Sequence, residues 1–446
     1  MQTVLQAAAE LGAGRTTSRA LVERALARIA DPAGEGARAF LKVYADQARA
    51  QADAVDALRR VGRAPGPYAG LPVSLKDLLD VAGEPTPAGS TVLAHAPPAP
   101  RHAPVVARLL AAGFVPVGRT NMTEFAFSGL GLNPHFGTPL GPWRREEGRI
   151  AGGSSSGAAV SVADGMAVGA VGTDTGGSCR IPAAFCGVVG YKPTARRVPL
   201  DGVLPLSPSL DSVGPLGRSV SCCAILDAVF AGEDPAPPPP LPLAGSRLAV
   251  PTNVVLEGME AAVADAFERA LSRLGAAGAR IARQAFGPLD RVVQASATGG
   301  FAAAEAYAWH RHLLAQQGAG YDPRVRVRIE RGAAMAAADY VELRAARAAI
   351  RAGMDAATAP FDALVLPTAP ILPPRLADLH DDAEYARVNT LALRNPAPFN
   401  FLDRCSISLP AHRPGEAPVG LMLVGETGGD RRLFALALAV EAALKE

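Results

Sequence analysis

The chain has 446 residues, 49% of them hydrophobic and 19% charged. That composition excludes a disordered chain and allows a large core without disulfide or metal staples. Lys plus Arg (44) nearly balances Asp plus Glu (42), a net charge of +2, which argues against a dedicated nucleic-acid binder. At about 150 residues per domain the length suits three domains, but one large α/β sheet reaches the same size.

Helical periodicity runs through 4–31 and 45–60, with Thr17 or Ser18 as the cap of a helix over 18–30. A Pro/Gly loop follows at 62–70, and Leu71 to Asp77 reads as a short buried strand ending in charge. Residues 103–112 read as a helix and 114–118 as the next strand, an alternation that predicts an α/β fold. From 128 to 157 the chain is rich in Gly, Pro and Asn without a period, and a loop this long in a compact domain is usually functional. A small-residue helix at about 157–164, a strand at 168–171 and a second glycine-rich loop at 172–178 come next. The proline-rich stretch 235–242 predicts a hinge or surface crossing. Beyond it, 247–251 reads as a strand, 259–278 as a helix, and 298–357 as Ala-rich helix broken at Tyr321-Asp322-Pro323. Residues 363–367 form a strand, 370–375 is proline-rich, 405–409 and 419–424 look like paired strands, and 431–445 closes the chain as a helix.

The five cysteines (Cys179, Cys186, Cys222, Cys223, Cys405) include no CxxC pair, and the odd count does not fit a disulfide framework. A reducing, cytoplasmic setting is expected. Met1 to Gly14 lacks the basic and apolar regions of a signal peptide, and no apolar run approaches the roughly 18 residues of a membrane span. There is no P-loop, no dinucleotide fingerprint and no HExxH zinc motif. His310 and His312 are two apart, off a common helical face, and read as solvated helix residues rather than metal ligands. Neither metal nor cofactor is expected.

Gly153-Ser154-Ser155-Ser156-Gly157 matches the GxSxG elbow of α/β-hydrolases, with Ser155 as nucleophile. That elbow needs a buried strand before it, and Trp143 to Ile150 is too charged to supply one. A different arrangement uses both glycine-rich loops. Thr175-Gly176-Gly177-Ser178 offers consecutive N–H groups with almost no side-chain cover, the material of an oxyanion hole. A serine in such a turn needs a base, and no histidine lies near either loop. Only four lysines exist, and one of them, Lys76, ends a buried strand, where burial lowers an amine's pKa toward neutrality.

With these residues in view, the chain closely resembles the amidase signature family over nearly its whole length. The resemblance is carried by Gly70-Leu71-Pro72-Val73-Ser74-Leu75-Lys76-Asp77, by Arg119 to Phe125, by Gly152 to Gly157, by Gly172 to Gly187, by Tyr191-Lys192-Pro193-Thr194 and by Ser209 to Pro215, in the expected order. It implies a Ser-cisSer-Lys triad: Ser178 as nucleophile, Ser154 as bridging serine after a cis peptide, and Lys76 as base. It further implies an oxyanion hole from the amides of Thr175, Gly176, Gly177 and Ser178, with Ser155, Asp174 and Arg180 in support. Cys179 and Cys186 are expected to be core residues and Lys192 structural. Met122 and Ile181 are candidates for the substrate pocket.

Two positions depart from the family pattern. Ala151 stands where proline is frequent. Ile181 stands where the A subunit of the tRNA-dependent amidotransferase has Gln and malonamidase-like members have Arg, which implies a preference for an apolar or neutral substrate group. The segment Asn395 to Phe401 follows the general pattern. The resemblance implies one α/β domain over 1–446 with a mixed central sheet flanked by helices on both faces. Within it fall N-terminal helices (about 1–65), a signature core (about 66–220), the proline-rich crossing and a helical, specificity-bearing remainder (about 243–446). The implied activity is hydrolysis of a carboxamide through a serine acyl-enzyme, releasing ammonia or an amine. The alternatives are the A subunit of a glutamine-dependent tRNA amidotransferase, a hydrolase of urea-derived compounds such as allophanate or carboxybiuret, and a non-enzymatic scaffold, against which the intact Lys76, Ser154 and Ser178 speak. The expected partners are a small-molecule amide and either a second copy or a small accessory subunit, with neither nucleic acid nor membrane.

Overall fold

The computed structural model describes residues 2–297 and 299–445. Among them eleven strands form one mixed sheet: β1 (Phe40–Val43), β2 (Pro72–Lys76), β3 (Val115–Thr120), β4 (Gly169–Asp174), β5 (Val189–Lys192), β6 (Ser212–Gly217), β7 (Arg247–Pro251), β8 (Arg280–Gln284), β9 (Ala363–Pro367), β10 (Ser406–Pro410) and β11 (Gly420–Val424). Their spatial order is β1-β3-β2-β4-β6-β5-β10-β11-β9-β7-β8. β2 runs parallel to both β3 and β4, whereas β6, β5, β10 and β11 pair antiparallel in succession.

The two-residue period of a strand sends neighbours to opposite faces, and both faces are covered. Val73, Leu75, Val171 and Val213 pack on one side with helices Pro104–Ala111 and Val220–Ala231. Ala170, Val117 and Leu216 pack on the other with helices Ser18–Ala30, Ser156–Ala163 and Arg180–Cys186. The same division continues across β7, β9, β10 and β11, with helices Ala261–Ala276 and Asp430–Lys445 opposite Gly287–Ala295 and Ala337–Thr358.

Local signals explain many boundaries. Thr17 caps the second helix by accepting the amide of Ala20. Asp322 caps the helix Pro323–Glu330, so the expected break at 321–323 is a turn between two helices. A second break at 331–336 divides that helix from Ala337–Thr358. Strands β1, β5, β6 and β8 add to those expected from the sequence. The proline-rich stretch is a surface crossing: it has no regular structure, and the amide of Leu241 donates to the carbonyl of Ala435 on the closing helix. No helix among the described residues is long and apolar enough to cross a membrane.

Candidate active site

Parallel pairing aligns the carboxyl ends of β2 and β4, the edge at which open α/β sheets usually bind ligands. Lys76 is the last residue of β2, and Thr173 and Asp174 end β4. Lys76 is fully buried, and its Nζ lies 2.8 Å from Ser154 Oγ, 2.9 Å from Ser155 Oγ and 2.9 Å from Thr173 Oγ1. Burial pulls its pKa down to about 8, against the opposing pull of the Asp174 and Asp211 carboxylates. No carboxylate forms a salt bridge with it among the described residues.

The peptide between Gly153 and Ser154 is cis. The chain passes so close to the preceding loop there that a Cβ on Gly153 would sit 2.5 Å from the amide nitrogen of Gly131. The carbonyl of Ser154 accepts the amide of Thr123, and the amide of Ser155 donates to the carbonyl of Ser178, which ties the two serine loops together. Ser155 is fully buried, contacts Lys76 and donates to the carbonyl of Thr173 at 3.3 Å, and no strand precedes it. The elbow reading therefore has no structural basis.

The second loop hangs on Asp174. Its carboxylate accepts the amides of Gly177 (2.8 Å) and Cys179 (3.0 Å), both arms of the Arg180 guanidinium, and Asn400 Nδ2 (2.9 Å). Arg180 also binds Asn400 Oδ1 and the carbonyl of Pro396. Although burial alone would raise it, the Arg180 charge holds the Asp174 carboxyl well below the usual carboxylate range. Gly177 has a φ of +130°, a conformation that side chains rarely adopt. Its N–H is donated to Asp174, so it is not free for a ligand in the way the oxyanion-hole expectation requires. Thr175 is held from the side, its hydroxyl donating to Asp211 Oδ1 at 2.5 Å. Burial pushes the Asp211 carboxyl up to about 7 despite that bond and the amides of Ser207 and Leu206.

A cavity of about 410 Å³ opens over this loop, within the size range of small-ligand sites. Ser178 lines it and is 3% exposed, whereas Ser154 is 0% exposed and lies outside the lining. The walls are largely apolar, including Leu206, Leu210, Val292, Phe301 and Phe401. The expectation that Met122 and Ile181 line the pocket needs correction. Met122 is buried in the core beside Gly89 and Phe125. Ile181, at the start of its helix, points beneath the loop, its Cδ1 2.7 Å from where a Gly177 Cβ would stand. Cys179 and Cys186 are buried, and burial pushes both thiols far up, so neither supplies a thiolate. Lys192 is buried and donates to the carbonyl of Pro193.

Sequence reasoning missed Thr173, Asp211 and Asn400. They lie inside or beside the motif runs already noted, but alternation along β4 groups Thr173 with Val171 and Val213, so strand periodicity does not bring it to Lys76.

A buried amine on a serine pair, beside a glycine-rich loop and a largely apolar cavity, defines a serine-lysine type of hydrolytic site. The family model for amidases matches residues 20–434, and the chain belongs to the amidase signature family of amide-hydrolysing enzymes. It is 40% identical over 401 residues to 2-amino-5-chloromuconic acid deaminase of Comamonas testosteroni, covering 89% of this chain and 86% of that one. It is 33% identical over 471 residues to the A subunit of the glutamyl-tRNA(Gln) amidotransferase of Symbiobacterium thermophilum, covering 97% and 95%. A crystal structure described as an amidase superposes with a TM-score of 0.89 at 37% identity, covering 99% of each chain.

Proposed function

We propose that Ser178 attacks the carboxamide carbonyl while Ser154 and Lys76 carry its proton away. Neutral Lys76 takes the proton of Ser154 Oγ as Ser154 takes that of Ser178, and the amides of Thr175, Gly176 and Ser178 receive the developing oxyanion. The proton returns along the same path to the departing amine, which leaves as ammonia or a primary amine. Water then attacks the acyl-enzyme with the relay running again, releasing the carboxylic acid. Ser155 and Thr173 hold the amine of Lys76 on this path, and Asp174 and Arg180 hold the loop. The observation that carries the reading is the fully buried Lys76 Nζ 2.8 Å from Ser154 Oγ. A small-molecule amide fits the size of the cavity, and five buried, unbridged cysteines support a cytoplasmic setting.

Labelling with a fluorophosphonate followed by peptide mapping tests the assignment. The label belongs on Ser178 and is absent in Ser178→Ala. In Ser154→Ala it still reaches Ser178, but slower by about 10² to 10⁴, the usual worth of general-base help. A label on Ser154 that survives Ser178→Ala would reverse the roles. The likeness to amidotransferase A subunits favours a second reading, in which this chain delivers ammonia to a partner. Ammonia release from simple amides by the purified chain alone supports the hydrolase, whereas turnover only after adding other subunits supports the transferase.

A further inference from the structure

The cavity over Ser178 takes part of its apolar wall from two distant segments: Leu206 and Leu210 in the loop 206–211, and Phe301 and Ala302 at the start of the helix Gly300–Gln317. Glu305 stands four residues beyond Phe301, on the same helical face, and is half-buried. Its carboxylate ties the helix to that loop. Oε2 accepts the hydroxyl of Ser207 (2.7 Å) and the amide of Ser209 (3.0 Å), and Oε1 accepts the hydroxyl of Ser209 and, at 2.6 Å, that of Tyr340. Tyr340 also packs edge-on against Phe301, with ring centroids 5.6 Å apart.

A second acid grips the other end of the same loop. Asp211 Oδ2 accepts the amides of Leu206 and Ser207 at 3.0 Å each, while its Oδ1 holds the hydroxyl of Thr175, beside Gly176. Ser207 is the joint between the two acids. It is fully buried, gives its hydroxyl to Glu305 and its amide to Asp211, and its carbonyl accepts the amides of Leu210 and Asp211. Other interior carboxylates are answered by arginines: Asp77 by Arg119, Asp174 by Arg180 and Asp227 by Arg197, whereas neither Glu305 nor Asp211 forms a salt bridge among the described residues. Both are held by N–H and O–H donors instead. Such bonds weaken steeply off their line, so a displacement of the wall at Glu305 must be followed by the loop or cost bonds.

We propose that Glu305 is a positioning residue for amide cleavage: through Ser207 and Asp211 it sets Thr175, so that a substrate body filling the apolar wall brings the Thr175–Ser178 loop into register. Binding energy from the unreactive part of the substrate then contributes to orienting the groups around the reacting carbonyl. Without Glu305 an apolar body still binds, but it no longer acts on the loop. The inference rests on Ser178 being the attacking serine.

The test measures labelling of Ser178 by ethyl, butyl and octyl fluorophosphonates, resolved into a binding constant and a maximal rate. In the wild type the maximal rate should rise with chain length. In Glu305→Ala it should become independent of length and fall about 10- to 100-fold for the octyl reagent, the effect of a small misplacement at a reacting centre, while binding still tightens with length. Glu305→Gln should restore the wild-type pattern, because its carboxamide oxygen can take the Ser209 amide and its nitrogen can donate to hydroxyls that turn round. Adding Glu305→Ala to Thr175→Val should slow labelling no further than Thr175→Val alone. A wild-type rate that ignores chain length, an equal fall at every length, an unchanged rate in Glu305→Ala or fully additive losses overturns the inference. If Glu305→Ala does not fold, Ser209→Ala takes its place and should show the same loss of length dependence in smaller measure; an unchanged pattern there overturns the inference too. Deuterium exchange supplies a readout that needs no reaction at Ser178. Exchange across 174–178 should quicken in Glu305→Ala and not in Glu305→Gln. If the wild type takes no label and hydrolyses no amide, the serine reading fails. Exchange then still decides Glu305, and a rise confined to 206–211 counts against it.

Discussion

Burial without an anion beside it sets the ionisation of Lys76, and the proposed mechanism depends on that ionisation. With a pKa of about 8, the amine is protonated below pH 8 and neutral above it. The base is therefore lost as pH falls, and kcat/KM should drop about tenfold per pH unit below the inflection and level off above it. A pH–rate profile for a substrate without a titrating group checks this, and a flat profile from pH 6 to 9 would count against Lys76 as the base. Lys76→Arg should be as inactive as Lys76→Ala, because a guanidinium stays protonated. Both should fall by at least about 10² in kcat with the circular dichroism spectrum retained. Much of this site was legible at the residue level. Lys76, Ser154 and Ser178 stand in glycine-rich or strand-ending runs whose chemistry is local. Asn400 was not legible, because it reaches the Asp174 carboxylate only in the folded chain.

Among the elements, short apolar runs bounded by Pro or Gly were readable. β7 and β9 fall on the expected residues, and β2 differs from its expected run by one residue at each end. β6 was not readable, since Ser-Val-Gly-Pro-Leu-Gly has the composition of a turn, yet it lies between β4 and β5. The first of its two glycines is dictated by the neighbouring strand: a Cβ on Gly214 would lie 2.0 Å from the carbonyl oxygen of Tyr191. The loop after β4 is likewise set by tertiary partners, since Asn400 reaches Asp174 from far along the chain. This makes Arg180 an element-scale test. Arg180→Met would leave the Asp174 carboxylate buried without its cation, which should cost about 3–5 kcal/mol in urea unfolding. Adding Asp174→Asn removes the stranded charge and should recover part of the loss. Labelling of Ser178 should remain slow in the double variant, because a neutral carboxamide in place of the carboxylate would hold the Gly177 and Cys179 amides less firmly. A single variant as stable as the wild type would show that the pair does not brace the loop.

At the scale of the whole molecule, segments widely separated in sequence share the cavity: 126–128, 175–178, 206–210, 292–296, 299–302 and 390–401 all reach it. Among the described residues no group of three side chains is placed to hold a metal. Turnover should therefore survive EDTA, and loss on chelation with recovery on adding zinc would reveal a missed centre. The same sharing bears on how the protein unfolds. A chain of this length with a proline-rich crossing could open as two units, since large proteins often depart from two-state behaviour. The bonds argue otherwise. β5 pairs with β10 across the point where the signature core meets the C-terminal part, so one sheet runs through both. Ser128 donates to Asn389, Tyr385 donates to Ser128, and the amide of Asp322 donates to the buried Glu124, each joining early and late segments. If these contacts outweigh the crossing, calorimetry should give one endotherm. The loss of near-ultraviolet dichroism and of Ser178 labelling should then share its midpoint. Two resolved endotherms, with labelling lost in the first, would mean that the C-terminal part leaves the sheet by itself and takes the cavity wall with it.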